Sequence, residues 1–179
     1  MRWWRLTGIC CAVLVAGATF GCGGDPEPKP EPEPTRLQLT ISATDDVNPD
    51  ANGNPSPVVS RLFVLRGQGA FAAAEFFTIW DKEQAVLARD VLSREEVVMK
   101  PGQTTSLNSV IDNEARVLGV VAAYQDIERA TWRALGPLKP NQVNAYEIEL
   151  SRQVVSLQPL PVKDDPGKQA DEKKKKEEK

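Results

Sequence analysis

Hydrophobic and polar residues alternate with a period of two over much of residues 35–162. In the first such segment Leu37, Leu39, Ile41 and Ala43 fall on one side, with polar residues between them. Because successive side chains of a strand point to opposite faces, this pattern predicts a strand with one buried face. Similar patterns predict strands at 58–66, 95–100, 104–110, 117–124, 131–135, 144–150 and 154–157. Seven or eight short strands indicate a mainly β protein, an antiparallel β-sandwich.

The pattern changes from strand to helix between the second and third predicted strands. Residues 70–80 place Ala72, Phe76, Ile79 and Trp80 on one helical stripe. Asp81 with Gln84 predicts the N-cap of a second short helix that ends near Asp90. We therefore expect a two-helix insertion that packs on the sheet. Its aromatic residues are predicted to lie in the core rather than to stack on a ligand: Phe71, Phe76, Phe77 and Trp80.

The first 21 residues have the pattern of an export signal. Arg2 and Arg5 precede a fifteen-residue apolar run, and the small Gly21 stands before Cys22. A membrane-spanning helix needs about 20 apolar residues, so the run suits a cleaved signal better. The sequence thus predicts a signal peptide over 1–21 and a lipid on Cys22. A plain secretory signal followed by an incidental cysteine is the alternative.

Two charged segments flank the predicted domain of residues 35–162. In residues 22–34 prolines alternate with charged residues, which predicts an extended polyproline II tether or a disordered linker. Residues 163–179 are rich in Lys and Glu and contain no aromatic residue, so we expect a disordered tail.

The composition argues against several classes of function. The chain has no histidine, which excludes a Ser-His or Cys-His nucleophile pair, and its net charge of −3 with no basic face does not favour nucleic-acid binding. The remaining cysteines, Cys10 and Cys11, lie within the signal. We therefore expect no catalytic residues, no metal, and no cofactor other than the covalent lipid on Cys22.

The connection of residues 45–57 is long for a link between two strands. It has three prolines and the turn-forming pair Asn52 and Gly53. Loops near this length without secondary structure are usually functional or disordered, so we expect a contact surface. Asp45, Asp46, Asn48 and Asp50 could suggest a calcium site, but the segment lacks the bidentate Glu and the glycine placement of a calcium loop.

Three blocks of the sequence resemble the type VI secretion system outer-membrane lipoprotein family, TssJ (also VasD or Lip). They are VNPDANGNPSPVVSRLFVL at 47–65, GAFAAAEFFTIWDKEQAVLARDVLSREEVVMKPGQ at 69–103, and LGVVAAYQDIERATWRA at 118–134. The resemblance implies a transthyretin-like sandwich with a helical pair. It further implies a lipid-anchored protein of the outer membrane that faces the periplasm and holds the periplasmic domain of the inner-membrane protein TssM. Gly23 after the cysteine is compatible with outer-membrane sorting.

The resemblance assigns much of the TssM contact to the loop between the first two strands. In this sequence the predicted partner-binding residues are Asp45, Asp46, Val47, Asn48, Pro49, Asp50, Ala51, Asn52, Gly53, Asn54, Pro55, Ser56 and Pro57. In the third block we expect Trp132 to pack in the core and Arg133 to pair at the surface with Asp126 or Glu128. The competing hypothesis is a periplasmic lipoprotein that binds a small ligand within or at the rim of its sandwich.

Overall fold

The computed structural model describes residues 32–162. The predicted signal peptide, the lipid on Cys22, most of the 22–34 tether and the 163–179 tail lie outside the described residues.

Within these residues the chain forms eight strands and two helices, which confirms the predicted mainly β sandwich with a two-helix insertion. The strands are β1 (Thr35–Ala43), β2 (Val58–Leu65), β3 (Val91–Met99), β4 (Thr104–Ile111), β5 (Val117–Ala123), β6 (Arg133–Pro137), β7 (Val143–Leu150) and β8 (Val155–Pro159). The helices are α1 (Gly69–Ala73) and α2 (Phe76–Leu87).

The strands form two four-stranded sheets, in the order β4-β1-β7-β8 and β3-β2-β5-β6. Neighbouring strands are antiparallel except β1 and β7, which run parallel. A parallel pair cannot be joined by a short hairpin, and here most of the domain separates the two strands. Such a distant pairing leaves no local trace in the sequence.

The main hydrophobic core lies between the two sheets. The alternating residues Leu37, Leu39, Ile41 and Ala43 of β1 all point into it, as their period of two predicts. Leu62 and Val64 of β2 enter from the other sheet. Burial of this apolar surface is the main favourable term in folding.

The helices cover the outer face of the second sheet, where Phe63, Leu65 and Phe71 form part of a second buried cluster. Gly119 on β5 lies under the Phe71 ring, and a Cβ there would come within 2.8 Å of Phe71 Cζ. Since β2 contributes to both clusters, it must be apolar on both faces. This explains the double-sided pattern of 58–66.

The helix boundaries differ from the prediction. α1 ends at Ala73, α2 begins at Phe76, and Lys82 interrupts α2 with φ −124°. Phe76 and Ile79 lie on the buried face of α2, whereas Phe77, the next residue around the helix, is 62% exposed rather than buried. In α1 the buried residue is Phe71, and Ala72 is exposed. A separate stretch beyond Lys82 agrees roughly with the predicted second helix, but no side-chain cap begins it.

β1 runs from one end of the sandwich to the other. At ~3.3 Å per residue its nine residues span about 26 Å. At the first end the buried Thr35 receives support from Asn113, whose Oδ1 accepts from the Thr35 backbone N at 3.0 Å. At the second end the chain enters the loop that leads to β2. The segment preceding the domain and this loop are therefore attached at opposite ends of one strand.

Candidate partner-binding loop

The loop between β1 and β2 has a buried base. Val47 is fully buried and belongs to the interior cluster, and Asn48 is 4% exposed. Val47 also accepts a backbone hydrogen bond from Ser56 N at 3.1 Å, which joins the outgoing and returning arms of the loop. Both residues were predicted to contact a partner, but the structure uses their side chains to hold the loop.

Asn48 connects the loop to two other chain segments. Its Oδ1 accepts from Gln125 N at 2.7 Å, and its Nδ2 donates to Pro57 O at 2.8 Å. The Asn48 backbone N donates to Arg152 O at 3.0 Å. Its φ of +47° lies in the left-handed region, which Asn tolerates better than most residues. The roles of Gln125 and Arg152 leave no local pattern in sequence, since both supports come from distant connections.

The tip of the loop, residues 50–54, is organised by Asp50. Its Oδ1 accepts from the backbone N–H groups of Asn52 at 2.8 Å and Asn54 at 2.9 Å, and Asp50 N donates to Asn54 O. The Asn54 side chain also donates through Nδ2 to Asp50 Oδ2 at 3.2 Å. The hydrogen bond from the Asn54 backbone N–H, and next the one from its side chain, hold the pKa of Asp50 below its usual value. Gly53, with φ +84°, permits the turn. The tip is therefore a compact turn whose remaining residues are exposed.

The loop presents an acidic surface. Residues 45–57 carry three aspartates and no basic residue. Asp46 accepts from Thr44 Oγ1 at 2.7 Å and lies 3.9 Å from Arg152 Nη1, a long and exposed ion pair. Exposed pairs of this kind contribute little, so the negative charge of the loop remains available.

Three of the four side chains considered for calcium have partners within the protein. Asn48 and Asp50 bind protein amides, and Asp46 accepts from Thr44. Among residues 32–162 no group of three or more His, Cys, Asp or Glu side chains is placed to hold a metal ion.

Arg133 does not occupy the predicted position. It donates through Nη1 to the carbonyls of Phe71 at 2.8 Å and Ala74 at 2.9 Å, whereas Asp126 pairs with Arg129. The expected pairing of Arg133 with Asp126 or Glu128 is therefore wrong. The last carbonyls of a helix lack partners within the helix, and Arg133 satisfies those of α1 from β6.

Trp132 packs against both hydrophobic clusters, in agreement with its predicted core role, although it is only half-buried. Its ring lies 5.4 Å from that of Phe76. The Trp-Arg pair thus joins the helical insertion to β6, which makes it a structural feature of the fold.

The groove of the surface beside α2 does not resemble a small-ligand pocket. A groove of about 600 Å³ lies beside α2 and is lined mainly by charged and polar side chains, including Arg61, Asp81 and Arg94. Arg61 is already paired with Glu96 at 2.9 Å, and Arg94 with Glu83 at 3.0 Å. Ligand sites are usually concave with few charged groups, whereas this groove is open and is lined by five charged side chains.

The helices in the described part of the chain are too short or too polar to cross a bilayer.

The fold and loop define a class of protein: a β-sandwich with a helical cover that presents a structured acidic loop at one end.

Comparison with known proteins identifies the family. Residues 35–153 match the model of the T6SS-SciN family, described as type VI secretion lipoprotein, VasD, EvfM, TssJ. This match spans more than half of the sequence, and the chain belongs to that family, which is not a known enzyme family. A search of curated protein sequences gives no match.

Solved structures agree with this assignment. The chain is similar to the T6SS lipoprotein TssJ1 from Pseudomonas aeruginosa, with 32% identity and a TM-score of 0.70 over 73% of this chain and 99% of that one. It is also similar to Serratia marcescens Lip, a membrane-bound component of the type VI secretion system, with 29% identity and a TM-score of 0.64 over 73% and 99%. A chain of the structure described as the TssM C-terminal domain from EAEC matches with 26% identity and a TM-score of 0.58, over 70% and 98%.

Proposed function

We propose that this protein anchors the periplasmic domain of the inner-membrane protein TssM to the outer membrane, as a structural component of the type VI secretion membrane complex. The exposed residues of the 45–57 loop form the contact, and a lipid on Cys22 supplies the anchor. Family membership and the similarity to a chain in a TssM structure support this proposal.

One observation carries the assignment to the loop. Its base is fixed by Val47 and Asn48, so the exposed tip of residues 50–54 is presented in one conformation. A pre-ordered loop loses less conformational entropy on binding than a mobile one. The loop also leaves β1 at the end opposite Thr35. Thr35 is the end of the strand that the chain reaches first after Cys22.

The acidic character of the loop indicates a basic surface on the partner. Complementary charges raise the association rate and specify the partner, and salt screens them. Binding through this loop should therefore weaken as ionic strength rises.

A titration of TssM periplasmic domain against this protein tests the contact. Asn52→Arg adds bulk and positive charge at the exposed tip without removing a side chain of the base, and we expect about tenfold weaker binding. Gln142→Arg is the matched control, because Gln142 is exposed near the Thr35 end of β1. Absence of binding by the unaltered protein would reject the partner. If both variants bind as tightly as the unaltered protein, the contact lies outside the loop.

The anchor requires a separate test. Several acyl chains on one residue make release from a bilayer negligible, whereas one chain gives only reversible binding. Cys22→Ser should therefore move the protein from the membrane pellet to the soluble periplasmic fraction. Retention in the pellet would show that another element holds it.

A further inference from the structure

The two long sides of the sandwich are closed to different degrees. On the side of β6 and β8, Thr131 N donates to Gln153 O at 2.8 Å and Val155 N donates to Thr131 O at 2.9 Å. Gly136 on β6 is packed so closely that a Cβ would lie 2.7 Å from Leu157 Cδ2 on β8. Backbone hydrogen bonds and tight packing thus join the two sheets along this side.

The opposite side is formed by β3 and β4, which are joined by the turn at Pro101 and Gly102. Two aliphatic side chains from each strand pack against the interior cluster but stay half-buried: Leu92, Val97, Leu107 and Ile111. We call these four residues the seam. A fully closed sandwich would bury them, so the seam is apolar surface left over at an open side.

Of the two strands that border the seam, β3 carries features that discourage further strand pairing. It contains Arg94, Glu95 and Glu96, and its register with β2 shifts at Val64 and Leu65. Charges, bulges, prolines and short length all protect the edge strands of natural sheets. The edge strands β6 and β8 have only five residues each and contain Pro137 and Pro159.

β4 lacks all of these features. Its sequence TTSLNSVI is eight residues long, with no charge and no proline, and its register with β1 runs unbroken from Thr35–Ile111 to Ser42–Thr104. Within residues 32–162, β1 is its single neighbour in the sheet. β4 is therefore a long and regular strand with one unprotected edge.

The hydrogen-bond pattern shows which backbone groups of β4 face outward. Ala43 N donates to Gln103 O on the β4 side of β1, whereas Arg36 N and Thr44 N donate toward β7. Antiparallel pairs alternate between bonded and non-bonded, so the odd-numbered residues of β4 bond to β1. The N–H and C=O groups of Thr104, Ser106, Asn108 and Val110 consequently point to the free edge.

We propose that the free edge of β4 binds an extended segment of the partner by strand addition. Added strands bind through main-chain hydrogen bonds, and their alternate side chains give specificity. Here one face of the added strand lies over the seam, so the segment should carry apolar residues at alternate positions. Glu95 pairs with Leu62 of the interior cluster and leaves the sheet on that same face, so a basic residue on the segment would meet it.

The position of β4 and the charge of Glu95 both favour this occupant. β4 starts beside the loop, where Gly102 N donates to Thr44 O at 3.3 Å, so a protein that reaches the loop also reaches the edge. Glu95 favours a basic residue on the added strand, and β4 of a second copy has no charged residue to offer. The inference rests on the proposed function for the identity of the partner, TssM.

Hydrogen exchange of the backbone amides in the full-length protein provides a direct test. In the free protein the amides of Thr104, Ser106, Asn108 and Val110 should exchange fast and those of Thr105, Leu107 and Ser109 slowly. On addition of TssM periplasmic domain, the first group should become protected, because alternate-residue protection is specific to strand pairing. Unchanged exchange in a demonstrated complex would overturn the proposal. Protection already present in the free chain would overturn it too, because a segment of this chain would then occupy the edge.

Variants of the edge separate this proposal from the loop contact. Asn108→Pro removes an outward N–H, and Asn108→Lys adds a protective charge if the proline variant fails to fold; each should weaken TssM binding by about tenfold. Gln158→Lys, on the exposed face of edge strand β8, is the matched control and should bind normally. If the unaltered protein and both Asn108 variants bind equally, the edge is not used. If the variants change only self-association, the occupant is a second copy, and the proposal is wrong.

Discussion

The base and the tip of the loop between β1 and β2 are adjacent in sequence but are held by different means. The base, Val47 and Asn48, packs in the interior and bonds to the chain at Gln125 and Arg152. The tip, residues 50–54, is closed by its own Asp50. The comparison indicates that the base belongs to the fold, whereas the exposed side chains of the tip can change with little cost to the domain. This division lets one scaffold present different contact surfaces.

The largest effect on stability should come from Asn48→Ala. It leaves Gln125 N–H and Pro57 C=O without their partner in a buried site, and it places Ala at φ +47°. Each buried unsatisfied group costs ~1–3 kcal/mol, so we expect a loss of about 3 kcal/mol in the free energy of unfolding. Urea denaturation measures this loss.

Asn52→Ala is the control for that substitution, because it removes the same side chain from the exposed tip. Its unfolding midpoint should stay close to that of the unaltered protein. If the two alanine variants lose similar stability, base and tip do not differ in the way described.

Val47→Ala should rank second. Val47 is fully buried, and removal of two methyl groups loses ~0.8 kcal/mol for each group, to which the cavity adds. We expect the free energy of unfolding to fall by about 2 kcal/mol, measured by thermal or urea unfolding. Val154→Ala removes the same groups from a residue that is 43% exposed and should cost much less. Equal losses would show that the base does not depend on Val47.

Gly53→Ala probes the backbone of the tip. Gly53 has φ +84°, and no atom lies within 4 Å of a Cβ built there, so the cost comes from conformation alone. A non-glycine residue in the left-handed region costs ~1–2 kcal/mol. We expect Gly53→Ala to lower the free energy of unfolding by about 1 kcal/mol, because the exposed tip can relax. Gly69→Ala, which also meets no atom and begins α1 without a positive φ, should be neutral or stabilising.

Much of the sandwich is predictable from local pattern, because one buried face imposes a period of two. β1 alternates strictly, β7 alternates from Tyr146 to Leu150, and the bounds of both are close to those expected. β3 begins at Val91 rather than at 95, since its Arg94, Glu95 and Glu96 hide the alternation on an exposed edge strand. Sheet order and the parallel β1–β7 pair depend on contacts between distant segments, which local periodicity cannot report.

The loop was found from its length and its prolines, but its internal division was not. Sequence placed all of residues 45–57 in one contact surface, whereas the structure buries Val47 and Asn48 and exposes 51–55. The supports at Gln125 and Arg152 come from distant connections. Arg133 was misplaced for the same reason, because its partners are carbonyls of α1 rather than nearby acids.

The smallest effect should come from Asp50→Asn, which alters only the tip. The N–H groups of Asn54 and Asn52 stabilise the ionised carboxylate and lower the pKa of Asp50 from its usual value. Since the pKa is lower in the folded state, the contribution of Asp50 is complete above about pH 4 and is lost as the pH falls through the lowered value. The amide resonances of Asn52 and Asn54 should therefore titrate with a midpoint below the usual pKa of an Asp carboxyl group, and this titration should vanish in Asp50→Asn, while the unfolding midpoint at neutral pH stays nearly unchanged. A midpoint above that usual pKa would mean that the amides do not stabilise the charged carboxylate, and a large loss of stability would mean that the tip supports the domain as the base does.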